Sequence, residues 1–167
     1  MSSADLPKML PAMLPHLRTF ALRLARDRHD AEDLVQRACV RALERADQLQ
    51  PNTAPLSWMF SIVHTTWINE LQARNVRQRF NVEWDEIRVR NVPDRSIRTP
   101  EEVLMCRQTI DAVMRLPEAQ RAVVLLVAFE GLSYTEAAEV LNVPIGTVMS
   151  RLSRARLAMG GDFARSR

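Results

Sequence analysis

Residues 133–156 constrain the fold of this chain more than any other stretch. Ser133-Tyr134-Thr135-Glu136-Ala137-Ala138 opens a short amphipathic segment, and Asn142 can end it. Pro144-Ile145-Gly146-Thr147-Val148 then starts a second one that runs to about Met159, where Gly160-Gly161 stops it. Ser133 with Glu136 has the spacing of a capping box, in which each residue satisfies the other's free amide. Two short helices joined by a tight turn are the expected result. In the second, Ile145, Val148, Leu152 and Ala155 are predicted to face inward against Ala137, Ala138 and Val140. Thr147, Ser150, Arg151, Ser153 and Arg154 then turn outward. That is a helix-turn-helix, whose second helix enters the major groove of DNA.

The residue types on that face fit the task. Guanidinium matches phosphate and guanine edges bidentately, and Arg154 is the leading candidate for a base contact. Arg151 and Arg156 serve equally well as phosphate contacts that position without specifying. Tyr134, Thr135 and the free amides around them can hold a further phosphate at a helix start. The competing reading is a solvated arginine-rich face that packs on another protein. Small residues at Gly146, Thr147, Ser150 and Ser153, which leave room for close approach, weigh against it.

Composition bounds the rest. With 47% hydrophobic and 26% charged residues over 167 positions, the chain has the make-up of a folded protein of one domain or two small ones. Four glycines and few alternating β-branched runs favour an all-α fold. A net charge of +3 and a pI near 9.5 mildly favour a polyanionic partner. Lys8 is the sole lysine among the 23 basic residues. Arginine codon bias explains that as well as phosphate recognition does. Cys39 and Cys106 make no disulfide framework or zinc cluster and read as small core residues. No apolar run is long enough to span a bilayer and no signal peptide opens the chain, so a cytoplasmic protein without membrane insertion is expected. His16, His29 and His64 are scattered, without nucleophile or metal spacing, and there is no glycine-rich phosphate loop. Neither an enzyme nor a cofactor is expected.

Upstream, Leu10, Leu14, Leu17, Ala21 and Leu24 mark a first helix to about Arg26. Pro7, Pro11 and Pro15 blur its start, and Pro15 implies either a helix beginning there or a break. Asp30 is the expected N-cap of the next helix, with Asp33 as its capping-box acid. Its apolar stripe is Ala31, Leu34, Val35, Ala38, Ala42 and Leu43, out to about Ala46. A polar loop follows, and Pro55 opens a third helix lined by Leu56, Met59, Phe60, Val63, Trp67 and Leu71, fading near Arg74. Residues 77–98 lack a clean period and read as a linker. Thr99, Pro100 and Glu102 then combine an N-cap, a first-turn proline and a capping-box acid, with Leu104, Ile110, Val113 and Met114 continuing that helix. Pro117 restarts a helix through the apolar run to Val127, ended by Gly131 in a left-handed conformation. The expectation is two small helical bundles on a flexible linker: residues 1–76, a tether over 77–98, and residues 99–167 with the helix-turn-helix.

Quoted together, these motifs resemble a known family. Leu116-Pro117-Glu118, Phe129-Glu130-Gly131-Leu132-Ser133-Tyr134-Thr135-Glu136-Ala137-Ala138, Gly146-Thr147-Val148 and Ser150-Arg151-Leu152-Ser153-Arg154-Ala155-Arg156 resemble region 4 of bacterial extracytoplasmic-function sigma factors. Asp30-Ala31-Glu32-Asp33-Leu34-Val35-Gln36 resembles their region 2.2. Pro55-Leu56-Ser57-Trp58-Met59-Phe60-Ser61-Ile62 and Trp67-Ile68-Asn69-Glu70-Leu71 resemble regions 2.3 and 2.4. The resemblance covers nearly the whole chain, in the right order.

The resemblance implies an alternative sigma factor of the sigma-70 family that directs core RNA polymerase to promoters with −10 and −35 elements. It implies that Glu32, Asp33, Gln36 and Arg37, with Asp30, meet the clamp helices of the largest polymerase subunit. Asp30 and Asp33 also have the local capping role. In the loop before the third helix, Asn52 and Thr53 would bond an extruded −10 base, with His64, Thr65 and Asn69 as further contacts. Trp58 is a stacking platform or a core residue, and His64 is otherwise an ordinary surface residue. Tyr134, Thr135, Thr147, Ser150, Arg151, Ser153, Arg154 and Arg156 would read or hold the −35 duplex. Related proteins often carry a basic residue where this chain has Met149, so no known −35 sequence transfers. An anti-sigma factor is the implied regulator, and a monomer is expected when free of partners. Two alternatives are a stand-alone helix-turn-helix regulator, for which no dimerisation helix is seen, and a sigma mimic that sequesters an anti-sigma factor. Mimics usually carry a receiver domain after the sigma-like part, and none follows before Arg167.

Overall fold

The computed structural model describes residues 5–80 and 100–160. Seven α-helices dominate the regular structure among them, beside a 3-10 turn at Ala46–Gln48 and a π turn at Leu125–Phe129: α1 (Leu6–Ala25), α2 (Arg28–Glu44), α3 (Pro55–Phe80), α4 (Pro100–Met114), α5 (Glu118–Val124), α6 (Tyr134–Leu141) and α7 (Ile145–Ala158). The expected all-α class is what is found. The helices belong to two compact units, one built on α1–α3 and the other on α4, α5, the start of α6 and α7.

In the first unit α1 is a single uninterrupted helix from Leu6, not a helix blurred or broken at Pro15. The reason is the spacing of its prolines. Pro7, Pro11 and Pro15 recur every fourth residue, so they share one face, and all three are exposed. A proline inside a helix frees the carbonyl four residues earlier. Here those carbonyls, on Pro7 and Pro11, face the side where water can take them. The carbonyl of Pro15 accepts a bond from the Thr19 hydroxyl at 3.0 Å. The opposite face buries Leu6, Leu10, Met13, Leu17, Phe20, Ala21 and Leu24. Arg26, at φ 61°, turns the chain sharply into α2.

Helix α2 starts earlier than expected, and its cap is a different aspartate. The backbone N–H of Asp30 donates to the Asp27 carboxylate at 2.9 Å, so Asp27 is the N-cap and Asp30 the third helical residue. The expected Asp30–Asp33 capping box does not form. Ala31, Leu34, Val35, Ala38 and Ala42 are buried as predicted, whereas Leu43 is 47% exposed. It sits just past the flank of a stripe that Ala38 and Ala42 already complete. Helix α3 buries Met59, Phe60, Val63 and Trp67, and Phe60 meets Phe20 edge-on with ring centroids 4.9 Å apart. Buried Thr66 donates to the Ile62 carbonyl at 2.7 Å and accepts from Arg41 at 3.1 Å, which satisfies the hydroxyl at both ends. Three helices thus close one apolar centre.

Helix α3 continues to Phe80, past its predicted fading point, so residues 77–80 of the expected linker are helical. Residues 81–98 and the Thr99 cap lie outside the described residues. In the second unit Val113, Leu116, Ala122, Val123, Val124, Leu125, Leu126, Val148, Leu152 and Ala155 supply the core, while Leu104 on α4 is 59% exposed. The apolar run after Pro117 is not one regular helix. It passes from α5 into a π turn over Leu125–Phe129, with Glu130 N–H bonded to the Leu125 carbonyl at 3.0 Å. Gly131 then takes φ 72°, the left-handed exit expected of it. Arg121, 3% exposed, donates to the Leu116 carbonyl at 3.1 Å and pairs with Glu118 at 3.3 Å, closing the turn before α5.

Candidate nucleic-acid and partner interfaces

The helix-turn-helix forms as its residues dictate. Ser133 N–H donates to the Glu136 carboxylate at 2.8 Å and Glu136 N–H to the Ser133 hydroxyl at 3.2 Å, so the capping box is reciprocal. Hydrogen bonding from the Ser133 backbone N–H and then from its side chain holds the Glu136 carboxyl below its usual range. Asn142 ends α6 at φ 52°, a conformation Asn tolerates better than most residues. Pro144, extended at φ −60° and ψ 148°, starts α7.

Val148, Leu152 and Ala155 of α7 are buried as expected, and the helix packs chiefly on α5 rather than on α6. Ile145 is corrected: it is 46% exposed. As the first residue of α7 it precedes the turns that meet α5. Ser150, Ser153, Arg154 and Arg156 are exposed, and Thr147 and Arg151 half-buried. Ser150 donates to the Thr147 carbonyl at 3.1 Å. Arg156 reaches the hydroxyl of half-buried Tyr134 at 3.4 Å, which links the end of α7 to the start of α6, and Thr135 beside it is exposed. Across 14 residues α7 carries three arginines and no carboxylate. Among the described residues, none of Arg151, Arg154 and Arg156 is ion-paired. This is a face of spare positive charge.

The first unit is organised differently. Glu70 of α3 accepts from Arg74 at 2.9 Å, from Arg37 of α2 at 3.1 Å and from Arg77 at 3.3 Å. Arg37 also pairs with Asp33 at 2.8 Å, and Arg74 with Asp30 at 2.9 Å. Two carboxylates on α2 and one on α3 are therefore stitched through guanidinium groups into a single chain. Bonds from Arg74 and then Arg37 depress the Glu70 pKa, and Asp30 first among its partners raises that of Arg74. The Arg74 guanidinium lies 5.6 Å from the centre of the Trp67 ring, near enough for a cation–π contact.

Of the five residues expected on the α2 docking face, Glu32, Asp33 and Gln36 are exposed. Glu32 pairs with Arg28 at 3.3 Å. Arg37 and Asp30 are half-buried and engaged with α3, which corrects Asp30 twice: it neither caps the helix nor stands free. Val40, 54% exposed, and Leu43 extend the same face through the spacing 33, 36, 40, 43. Their signal in the sequence was a surplus of apolar residues over what one buried stripe requires.

On α3, Trp58, Ile62, Thr65 and Asn69 share one row by their spacing, away from the buried row of Met59, Val63 and Thr66. Thr65 and Asn69 are exposed, and Trp58 is half-buried, so it is neither a full core residue nor a free platform. His64 falls outside that row and is half-buried. Asn52 is exposed in the turn before α3, and Thr53 N–H closes that turn on the Gln50 carbonyl at 3.0 Å. Cys39 and Cys106 are half-buried rather than core, and burial raises the Cys39 thiol pKa. Among the described residues no His, Cys, Asp and Glu group has the makings of a metal site, and no helix is long and apolar enough to cross a membrane.

Comparison with known proteins matches both units. Residues 10–77 match the family described as Sigma-70 region 2, and residues 106–159 match Sigma-70, region 4. The chain is 31% identical over 145 residues to the ECF RNA polymerase sigma factor EcfG of Rhodopseudomonas palustris, covering 87% of this chain and 77% of that protein. It is 32% identical over 138 residues to the ECF RNA polymerase sigma-E factor of Escherichia coli K12, covering 78% and 72%. Among solved structures it is similar to the sigma factor RpoE of Bartonella quintana in complex with the anti-sigma factor NepR. That likeness has a TM-score of 0.83 and 26% identity, and it covers 98% of this chain and 99% of that one.

Proposed function

The chain belongs to the extracytoplasmic-function sigma factors of the sigma-70 family, and on that footing we propose a division of labour among its residues. The protein directs core RNA polymerase to promoters. In our reading the unit of α1–α3 docks on core through the exposed face of α2, where Glu32, Asp33 and Gln36 are followed by Val40 and Leu43. A polar patch running into apolar side chains suits a helical partner carrying basic groups.

The row on α3, with Asn52 and Thr53 in the turn before it, receives the −10 strand. Trp58 is half-exposed, Thr65 and Asn69 offer edge or backbone bonds, and His64 stays at the margin. Face α7 reads the −35 element as duplex, with Arg154 on base edges and Arg151 and Arg156 on phosphates. Tyr134 and Thr135 at the start of α6 add backbone contacts. The part through the end of α3 serves core and −10, and residues 99–167 serve −35.

The observation that carries this most directly is the carboxylate-free run of α7, whose three arginines are in no ion pair among the described residues. An anti-sigma factor holds the protein when it is idle, in keeping with the anti-sigma complex of the RpoE relative. The protein works in the cytoplasm, where the polymerase is, and carries out no catalysis of its own.

The test is transcription in vitro with purified core enzyme over a random promoter library. Start sites that depend on this protein and share spaced −35 and −10 elements are expected. Tight binding of duplex operator DNA without polymerase would overturn the reading in favour of a stand-alone regulator. Capture of an anti-sigma factor without any transcription would favour a mimic.

A further inference from the structure

Two of the three large exposed apolar side chains of α7, Ile145 and Met149 but not Leu157, stand on its first turns, where a groove-reading helix has no structural use for them. Ile145 is 46% exposed and Met149 53% exposed, one turn apart at the N-terminal end of the helix. That is the end which contacts base edges when such a helix enters the major groove. Neither side chain belongs to the core, which α7 builds from Val148, Leu152 and Ala155. Around them stand Gly146, Ser150 and Ser153, all small and exposed, and apart from its chain neighbours and the helix's own backbone nothing among the described residues lies within 4 Å of where a Gly146 side chain would begin. Met149 is thus the longest reach among short neighbours. Exposing it costs apolar burial unless DNA covers it. The arginines along the same helix, without a carboxylate, argue that DNA is the cover.

We propose that Met149, flanked by Ile145, is a specificity-determining residue that reads the C5-methyl group of a thymine in the −35 element. Thymine alone presents a methyl group in the major groove of unmodified duplex, and apolar side chains recognise it by excluding water. The unbranched thioether of Met149 adapts to a small apolar knob better than a rigid side chain would. The inference rests on α7 being the −35 reader.

The experiment uses holoenzyme reconstituted from core polymerase and the full chain, on a promoter recovered from the random library. Each thymidine of the −35 element, on either strand, is replaced in turn by deoxyuridine, which removes only the methyl group. At one position the native protein should lose about fourfold in open-complex formation, the worth of one buried methyl. Met149→Ala should be weaker on the thymine template and indifferent to the replacement. Met149→Leu, which keeps an apolar tip, should retain the sensitivity. A recovered −35 element without any A·T pair would overturn the proposal, as would equal sensitivity to every deoxyuridine in the native protein and the Met149→Ala variant. Arg154→Ala serves as the control for the underlying reading. If it leaves −35 dependence intact, α7 is not the reader at all; if it removes that dependence while the methyl tests show nothing, only the role of Met149 fails.

Discussion

The two candidate interfaces of this protein use arginine in opposite ways. On α2 and α3 the guanidinium groups of Arg37 and Arg74 are consumed internally, bridging Asp33 to Glu70 and Glu70 to Asp30. On α7 Arg151 and Arg154 have no ion pair among the described residues, and Arg156 meets only a tyrosine hydroxyl. The difference is physical before it is functional. A helix pair whose facing surfaces carry charge must neutralise it, or bear the cost of desolvating unpaired ions. A helix with one face in water bears no such cost and can keep its charge for a polyanion. On the proposed protein-docking side charge is therefore fixed in place by the fold's own ion pairs, and on the proposed DNA-docking helix it is left without an ion pair among the described residues.

Arg154→Ala should cause the largest loss if that contrast holds. Transcription from the cognate promoter should fall about ten- to a hundredfold, the range for losing one bidentate base contact, while core association measured by competition stays unchanged. Equal losses in both would erase the contrast. Asp33→Lys tests the other face. Its partner Arg37 keeps Glu70, and the Asp33 side chain is 54% exposed, so folding should lose no more than about 1 kcal/mol. Core association should weaken roughly tenfold through charge reversal at the docking face. Unchanged association would remove Asp33 from the interface.

Glu70→Gln addresses the stitching itself. The Glu70 side chain is 17% exposed and accepts from three guanidinium groups, so its loss should cost about 1–3 kcal/mol and lower Tm by several degrees. The pH dependence has a definite sign. The folded-state pKa of Glu70 lies below its ordinary value of 4.5, so its stabilisation is complete above that value. It is lost as pH falls through the depressed folded value. Urea melts of the native protein and the Gln variant should differ at neutral pH and converge in acid. A constant gap would mean that the network is sterically rather than electrostatically useful.

How far the sequence announced this depended on whether a pattern was local. The Ser133–Glu136 box, the left-handed Gly131, the helix end at Asn142, and the inward row of Val148, Leu152 and Ala155 were all readable, because each follows from residues within one or two turns. The Asp27 cap was missed because an equally good aspartate, Asp30, lies three positions on. Only the tertiary pull of Arg74, 44 residues away, separates them. Glu70 and Arg74 went unnoticed as a pair with α2 for the same reason. Periodicity alone puts Ile145 and Leu43 in the core, because it cannot tell where a neighbouring helix stops. The prolines of α1 misled in the other direction: each disfavours a helix interior, but a four-residue spacing puts every freed carbonyl on the wet side.

The smallest expected effect concerns the joint between cap and reader. Ser133→Ala should cost about 1 kcal/mol, the usual worth of an N-cap hydroxyl. The loss should be local. The amides at the start of α6 should exchange faster with solvent while those of α5 keep their protection. Because Tyr134 follows the cap directly and its hydroxyl receives Arg156, fraying there also releases the end of α7. Glu136→Gln removes the other half of the box. Since the Glu136 pKa is held below 4.5, the stability difference from the native protein should be present above that value and vanish as pH falls through the folded value. If Ser133→Ala leaves transcription untouched but Arg156→Ala does not, Arg156 acts on DNA by itself. If both reduce transcription to the same degree, Tyr134 and Arg156 act as one unit, and the spare charge on α7 then comes down to Arg151 and Arg154.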